Sequence, residues 1–377
     1  MTELRERLRS EPLPGEAEAA ARSWPVVEAA LAEREPGRSG RRAAAHPRRL
    51  ALRLALVAAL IAVGLAVALS PAGAWIGDRF EDEPSAPAFA GLPKAGPVLA
   101  LTRTGAYAID SNGGTQGLGA FSEAGWSPHG EHVVGVDGGR LTAVDPLGTV
   151  KWTLVRKGVH DPAWSTRLGF AVAYLQGRAL RVVDGRGNPA TDHLVRGHAA
   201  PVTPGWRPHS DRVLSYATTG GTIETVDVVT GRVFWTADIR QAPRGLAWSR
   251  DGRRLVVLSS RSLTVLARTG RVLRTLTLPG VARDLALHPS GRRAAVVLGA
   301  SVEEVPLDGA RPRQLFQGNV DGLAWSADGR WLLLGWRDTG QWLLFGPDGR
   351  KRALHGVSRE LGRAGGFPRV AGWCCSG

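Results

Sequence analysis

Cysteine is almost absent from the chain: only two of its 377 residues are Cys, and they are neighbours, Cys374 and Cys375. Two adjacent thiols cannot build a disulfide framework or a cysteine-based zinc site. Aromatic residues make up only 6% of the chain, yet 13 of them are Trp. Together with 49 Gly and 24 Pro, this composition is typical of a turn-rich β protein rather than a helical bundle.

The chain also lacks the short motifs of common catalytic and metal sites. The patterns G-x-S-x-G and H-E-x-x-H, the P-loop and the calcium loop do not occur, and the nine His residues are scattered. The sequence therefore predicts a protein that is not an enzyme and that carries no metal and no cofactor. Its hydrophobic content of 43% is nevertheless sufficient for a sizeable core.

Charged residues are missing from one long segment, Leu54 to Ile76, which is rich in Leu, Ala and Val. A helix of this length spans a bilayer core of roughly 30 Å, so the segment predicts a single transmembrane helix. Basic residues precede it and acidic residues follow it: Arg38, Arg41, Arg42, Arg48, Arg49 and Arg53 before, and Asp78, Glu81, Asp82 and Glu83 after. The positive-inside rule then predicts a cytoplasmic N-terminus and an exported remainder. A cleaved signal peptide is the alternative, because residues 72–74 read Ala-Gly-Ala, but the preceding region is too long for one.

These features divide the chain into four predicted regions. Residues 1–49 form a cytosolic, charged helical region, 50–76 a transmembrane signal anchor in the cell membrane, 77–96 an acidic, Pro-containing linker drawn out as a stalk, and 97–377 an extracytoplasmic domain. Within residues 1–35, Trp24, Val27 and Leu31 recur at helical spacing. This stripe either docks on a cytosolic partner or lies loosely against the membrane surface.

The region beyond residue 96 contains a repeat. A small or apolar residue, usually followed by Trp and then by a polar turn, recurs as in GWSPHG, AWSRDG and AWSADG. The resulting structural anchors are Trp126, Trp164, Trp206, Trp248, His288, Trp325 and Trp373. Their spacings are 38, 42, 42, 40, 37 and 48 residues. A period near forty residues with β and turn signals predicts a β-propeller.

The ends of this region predict the number of blades. Residues 97–121 resemble the second to fourth strands of a repeat, and Val370 to Cys375 resemble a first strand. Joining them gives an all-β, seven-bladed β-propeller closed by both ends of the domain, with no open sheet edge in the ring. The alternative is six blades, because His288 replaces Trp and the last spacing is long.

The hydrophobic-Trp-Ser-x-Asp-Gly pattern, as in residues 246–252 and 323–329, resembles the WD-repeat-like repeats of exported bacterial propellers such as that of the Tol system. The resemblance covers about residues 97–377 and implies a protein-interaction platform. The GH and WD dipeptides of eukaryotic WD repeats are not regularly present. The abundance of Arg over Lys is typical of a bacterial genome of biased, actinobacterial-type composition.

A second resemblance points to another functional class. The segments Gly139–Val155 and Gly220–Ile239 are similar to repeats of quinone-dependent dehydrogenases and of the outer-membrane assembly propeller. Some of those enzymes place adjacent cysteines against the cofactor, but they resemble larger propellers with a calcium-binding carboxylate set that has no match here. We therefore expect Cys374 and Cys375 to point to opposite faces of the closing strand; a disulfide between the two neighbours is the alternative, because export permits oxidation.

The candidate binding residues lie just before the anchors, where loops enter the innermost strands. They are His160, Asp161, Arg244, Arg283, Asp284, Asp321 and Arg369. A ring of both charges suits a polar or peptide partner, although such residues also pair with one another.

The net charge of +14 lies mostly beyond residue 96. Because that region is predicted to be exported, we expect a protein or an acidic envelope component as partner, lipid contact through the transmembrane helix, and no nucleic acid. The predicted function is a membrane-anchored, non-enzymatic binding module. A transmembrane signalling protein whose cytosolic helices bind a regulator is the alternative, and a quinoprotein-like enzyme is a third possibility.

Overall fold

The computed structural model describes residues 88–361 and 366–375. Within them the chain forms 28 strands arranged as seven four-stranded antiparallel sheets. This is an all-β, seven-bladed propeller, so the predicted fold class is confirmed and the six-bladed alternative is wrong. The predicted regions 1–49 and 50–76 lie outside the described residues.

The strands follow one another as consecutive sheets. The chain enters through β1 (Val98–Leu101), β2 (Ala106–Ile109) and β3 (Thr115–Gly119). The next sheet contains β4 (Glu123–Trp126), β5 (Val133–Asp137), β6 (Arg140–Val144) and β7 (Val150–Val155). It is followed by β8 (Val159–Trp164), β9 (Ala171–Gln176), β10 (Ala179–Asp184) and β11 (His193–Arg196). Then come β12 (Gly205–Trp206), β13 (Val213–Ala217), β14 (Thr222–Asp227) and β15 (Val233–Asp238).

The second half of the ring continues the same order. One sheet contains β16 (Pro243–Trp248), β17 (Arg254–Ser259), β18 (Ser262–Ala267) and β19 (Val272–Thr277). The next contains β20 (Ala282–Leu287), β21 (Arg293–Leu298), β22 (Ser301–Pro306) and β23 (Arg313–Gln317). The sixth contains β24 (Val320–Trp325), β25 (Leu332–Trp336), β26 (Gln341–Phe345) and β27 (Lys351–Leu354). A short helix, α1 (Val357–Leu361), precedes the last strand, β28 (Arg369–Trp373).

The first strand of each sheet lies next to the first strands of its neighbours, so β4, β8, β12, β16, β20, β24 and β28 surround the central axis. Six of the seven anchors are the last residue of such a strand, and His288 directly follows β20. The indole N–H of Trp206 donates to Ala163 O of the preceding sheet at 2.9 Å, and that of Trp325 donates to Ala286 O at 3.2 Å. These two anchors therefore join neighbouring sheets by hydrogen bonds as well as by packing, whereas the buried indole N–H groups of Trp126, Trp164 and Trp248 have no partner among the described residues.

The seventh sheet has the order β28, β1, β2, β3, and thus combines strands from both ends of the domain. In the antiparallel pairing of β28 with β1, Trp373 lies opposite Val98 and Arg369 opposite Leu101. Two further bonds extend this pairing: Trp373 Nε1 donates to Gly96 O at 2.9 Å, and the backbone N–H of Cys374 donates to Pro97 O at 2.8 Å. The ring is closed by hydrogen bonds without a covalent link between the two ends.

The hydrophobic core is divided among the gaps between adjacent sheets. Leu141 and Tyr174, for example, pack between the sheets that begin with β4 and β8, and both side chains are fully buried. The second and third strands supply most of these residues, as in β17, where Leu255 to Leu258 are all buried. Because both faces of the second and third strands contact neighbouring sheets, the sequences of these strands are continuously apolar and do not alternate between apolar and polar residues.

In the repeats that contain the Trp-Ser pair, the Ser stabilises the polar turn. The hydroxyl of Ser249 donates to Asp251 Oδ1 at 2.6 Å and accepts the backbone N–H of Arg254 at 3.0 Å. Gly252 in the same turn has a φ of +63°, a conformation that favours Gly over other residues. The Ser326 turn repeats both hydroxyl bonds. This is the physical basis of the Trp-Ser-x-Asp-Gly repeat.

Two segments depart from the sequence-based expectations. Residues 88–96, assigned above to a drawn-out linker, pack against the propeller: Phe89 is fully buried and its ring centroid lies 5.2 Å from that of Trp342. The stalk interpretation is therefore wrong for these residues, because their apolar side chains complete the core at the sixth sheet. The long final spacing reflects α1, whose buried Val357 and Leu361 join the same cluster.

In the ranges 88–361 and 366–375, no helix is both long and apolar enough to cross a membrane.

We expect Trp373→Ala to lower the free energy of unfolding by about 3–5 kcal/mol, because a buried indole at the closing pairing is removed. The control is Trp235→Ala on the outer strand β15, where the side chain is only partly buried and the loss should be smaller. Urea denaturation followed by far-UV circular dichroism measures both values. Equal losses in the two variants would argue against a special role for the closing strand.

Candidate functional site

A cavity of about 730 Å³ lies where the innermost strands begin. We call it the charged cavity. Its walls come from the starts of β16, β20, β24 and β28 and from the segments beside them. The charged and polar residues that line it are Arg244, Arg283, Asp284, Asn319, Asp321, Arg337, Asp338, Arg369 and Thr203.

Five of the seven candidate binding residues line this cavity: Arg244, Arg283, Asp284, Asp321 and Arg369. Each lies within the first three residues of an innermost strand, and these strand starts surround the axis. The structure thus brings these five together. The other two, His160 and Asp161, are in β8 and do not line the cavity.

His160 and Asp161 are nevertheless connected to the same end of the axis. Their side chains form a contact of 2.9 Å between His160 Nδ1 and Asp161 Oδ2. Thr203, which lines the charged cavity, donates its hydroxyl proton to Asp161 Oδ1 at 2.5 Å. Asp161 has a φ of +53°, unusual for a residue other than Gly, and its backbone N–H donates to Glu123 Oε2 at 2.5 Å. These contacts hold β4, β8 and the segment before β12 together at the end of the axis where the charged cavity lies.

The basic groups of the cavity differ in how they are paired. Arg337 Nη1 lies 3.6 Å from Asp321 Oδ2, and Arg244 Nη1 donates to Ala282 O at 3.3 Å. Arg283 and Arg369 form no ion pair with any residue that the structure describes. Within the set of seven candidates, only His160 and Asp161 pair with each other among the described residues, because the partner of Asp321 is Arg337, which the sequence did not indicate.

Burial changes the acidity of two carboxyl groups at this end. It raises the pKa of Asp284, whose Oδ1 accepts the backbone N–H of Leu285 at 2.8 Å. It also raises the pKa of Glu123, although the backbone N–H of Asp161 acts in the opposite direction. The Leu285 N–H and the positive charge of Arg369 offset part of this effect, and the negative charge of Asp321 adds to it. Because burial still dominates, Asp284 favours a ligand that brings a further cation or hydrogen-bond donor.

The sequence analysis missed several residues of this site. Glu123 and Thr203 stand three positions before Trp126 and Trp206, as Asp161 stands three before Trp164. This common offset could have identified them. Arg337 and Asp338 follow β25, and Asn319 precedes β24 and donates to Asp338 Oδ1 at 2.8 Å. No spacing rule indicates them, because the turns after the second strands vary in length.

The two cysteines lie at the opposite end of the axis. Cys374 and Cys375 are joined as a disulfide directly after β28. The expectation that they point to opposite faces of the closing strand is therefore wrong, since the strand ends at Trp373 and the chain turns there. Both sulfurs pack on the Ser127–Gly130 turn, where each lies 3.8 Å from Ser127 O.

Among residues 88–361 and 366–375, no group of three or more His, Cys, Asp or Glu side chains is arranged to hold a metal ion.

No protein-family model and no curated protein sequence matches the chain. Solved structures do match. It is similar to hydrazine synthase from Kuenenia stuttgartiensis, with a TM-score of 0.50, 18% identity, and coverage of 60% of this chain and 77% of that chain. It is also similar to the β-propeller domain of Cps50 (Swd1) from Myceliophteria thermophila, with a TM-score of 0.52, 16% identity, and coverage of 63% and 86%. At these identities the likeness shows the fold alone: a WD-repeat-like, seven-bladed β-propeller.

We expect Asp284→Asn to stabilise the protein increasingly as pH rises. When folding raises the pKa of a carboxyl group, the free energy of unfolding falls as pH rises from the pKa of the unfolded state, about 3.9, to the pKa of the folded state. Asn does not ionise and therefore removes this loss. The free energy of unfolding is measured by urea denaturation at several pH values. The value for the variant minus that for the wild type should increase with pH across this range.

Asp251→Asn is the control for this measurement. The Ser249 hydroxyl lowers the pKa of Asp251, so its charged form stabilises the fold and the benefit is lost as pH falls. The Asp251→Asn variant should therefore lose stability relative to the wild type as pH rises. A parallel trend in the two variants would contradict the assigned environment of Asp284.

Proposed function

We propose that the protein is a membrane-anchored, extracytoplasmic β-propeller that binds a protein or an acidic envelope component at the charged cavity, without catalysing a reaction. In this respect it would act as an interaction platform, like the exported propellers of the Tol type that its repeats resemble.

The observation that carries this proposal is the pairing pattern inside the cavity. Arg283 and Arg369 lack an ion pair among the described residues, and Asp284 is desolvated beside them. A partner that presents a carboxylate or phosphate would engage the guanidinium groups through charge-assisted hydrogen bonds, which are stronger than neutral ones. A donor on the same partner would satisfy Asp284. The site therefore favours a ligand with both acidic and donor groups, such as the surface of a folded protein.

The proposed anchor is the apolar segment within residues 50–76. Its basic N-terminal flank favours a cytoplasmic position for residues 1–49, and the propeller would then face outward. The propeller has no need of the anchor to close its ring, so the anchor would serve to hold it at the cell surface.

A transmembrane signalling protein is the second candidate function. Trp24, Val27 and Leu31 recur at helical spacing within residues 1–35, and such a stripe is suited to docking in a groove of a cytosolic regulator. In this case, occupancy of the charged cavity would be the outer signal.

The orientation predicts how introduced cysteines react in intact cells. Asn112→Cys, in the exposed turn after β2, should react with a membrane-impermeant maleimide, whereas Ser10→Cys should react only after lysis, because the bilayer shields it. Labelling is measured by the mass shift of the purified chain. Reaction of Ser10→Cys in intact cells, or protection of Asn112→Cys, would refute the proposed orientation.

Binding at the charged cavity predicts that charge reversal removes a partner. The full-length chain, cross-linked in cells and purified in detergent, should capture an envelope protein, and Arg283→Glu/Arg369→Glu should reduce its recovery by about tenfold or more, as expected for loss of close charge pairs. The matched control is Arg271→Glu/Arg311→Glu, which reverses two exposed charges on turns outside the charged cavity. Quantitative mass spectrometry compares the recoveries.

The same experiment separates the two candidate functions. A stoichiometric cytosolic partner that is recovered from all three chains would favour signalling. If the two reversed variants recover the same envelope proteins as the wild type, the charged cavity is not the binding site.

A further inference from the structure

A second cavity, of about 1290 Å³, lies at the opposite end of the axis, where the innermost strands end. We call it the indole cavity. Five anchor residues form part of its lining: Trp126, Trp248, His288, Trp325 and Trp373. The turns that follow the anchors contribute Pro128, Pro208 and Pro289. The cavity therefore has an aromatic and apolar lining that is continuous with the inter-sheet core.

The charges of the indole cavity are all of one sign. Lys94, Arg167 and Arg250 are exposed residues of its lining, and none of its described lining residues is acidic. His129, His209 and His288 also line the cavity. The charged cavity, by contrast, is lined by both Arg and Asp. The two ends of one axis thus differ in electrostatic character, and the indole cavity attracts anions.

The rim of the indole cavity is fixed by hydrogen bonds between turns of different sheets. His129 Nε2 donates to Arg167 O at 3.0 Å, and His288 Nε2 donates to Gly329 O at 2.9 Å. Arg250 Nη1 reaches Ala327 O at 3.0 Å, two sheets further along the ring. Because these bonds exist in the free protein, little conformational entropy remains to be lost when a ligand binds.

The size of the cavity indicates the class of ligand. Pockets for drug-sized molecules have volumes of about 300–1,000 Å³, and the indole cavity exceeds this range. Its aromatic lining with a cationic rim matches a polypeptide segment, which can insert one apolar side chain between indoles while its acidic neighbours reach the rim.

We propose that the indole cavity binds an extended, acidic segment of a partner protein through one aromatic or aliphatic side chain and flanking Asp or Glu residues. The apolar side chain contacts the indoles, and the carboxylates contact Lys94, Arg167 and Arg250. This site is separate from the one in the proposed function, since the two cavities share no lining residue.

The test uses the full-length, detergent-solubilised chain and a display library of random peptides about nine residues long, roughly 30 Å when extended. Selected peptides should combine Asp or Glu with one aromatic or aliphatic residue. Their affinity, measured by calorimetry, should fall at least about tenfold between 50 and 300 mM salt or in Arg167→Gln/Arg250→Gln, as expected for a partly charge-driven complex.

Three controls accompany this measurement. Arg271→Gln/Arg311→Gln removes two exposed charges outside both cavities and should bind as the wild type does. Arg283→Glu/Arg369→Glu alters the charged cavity and no residue that lines the indole cavity, so it should also bind normally. This control separates the proposal from the proposed function. Unchanged melting temperatures show that each variant is folded.

The proposal is overturned by any of three results: selection of peptides without acidic residues, equal affinity of Arg167→Gln/Arg250→Gln and wild type, or equal binding of polyglutamate that lacks an apolar residue. The last result would identify the cavity as a general polyanion site.

Discussion

The antiparallel pairing of β28 with β1 is the contact on which the rest of the molecule depends. Each sheet can bury both faces only if it has a neighbour on both sides, and a ring of seven sheets meets that condition only when it is closed. The same strand contributes to both ends of the axis: Arg369 at its start lines the charged cavity, and Trp373 at its end lines the indole cavity. Loss of this pairing would therefore disturb the core and both candidate sites together.

Much of the fold could be predicted from the sequence, because the repeat has a direct physical cause. At the end of six of the seven innermost strands, a small residue and a Trp fill the gap to the neighbouring sheet, and in the Trp-Ser repeats the Ser and Gly of the next turn reverse the chain. His288 takes the place of a Trp without breaking the ring, since its imidazole packs edge-to-face on Trp325 with ring centroids 4.6 Å apart.

Less of the candidate site could be predicted, for two physical reasons. Residues four or five positions before an anchor lie near the start of an innermost strand, and these strand starts surround the axis. Five of the candidate residues could therefore be predicted from the repeat alone. Arg337, Asp338 and Asn319 reach the cavity from connections whose length is not periodic. Likewise, the burial of Phe89 depends on the shape of the sixth sheet, and a segment rich in Pro and acidic residues carries no signal for that contact.

The closed ring of sheets does not require any particular strand to come first in the chain. The backbone N–H of Cys374 lies 2.8 Å from Pro97 O, so the two ends of the propeller are neighbours in space. A short peptide joining them, combined with a new break in an exposed turn such as that at Gly309, would leave every strand with its present partners. The fold is thus open to circular permutation, and a rearranged gene that starts at a different repeat would encode the same architecture.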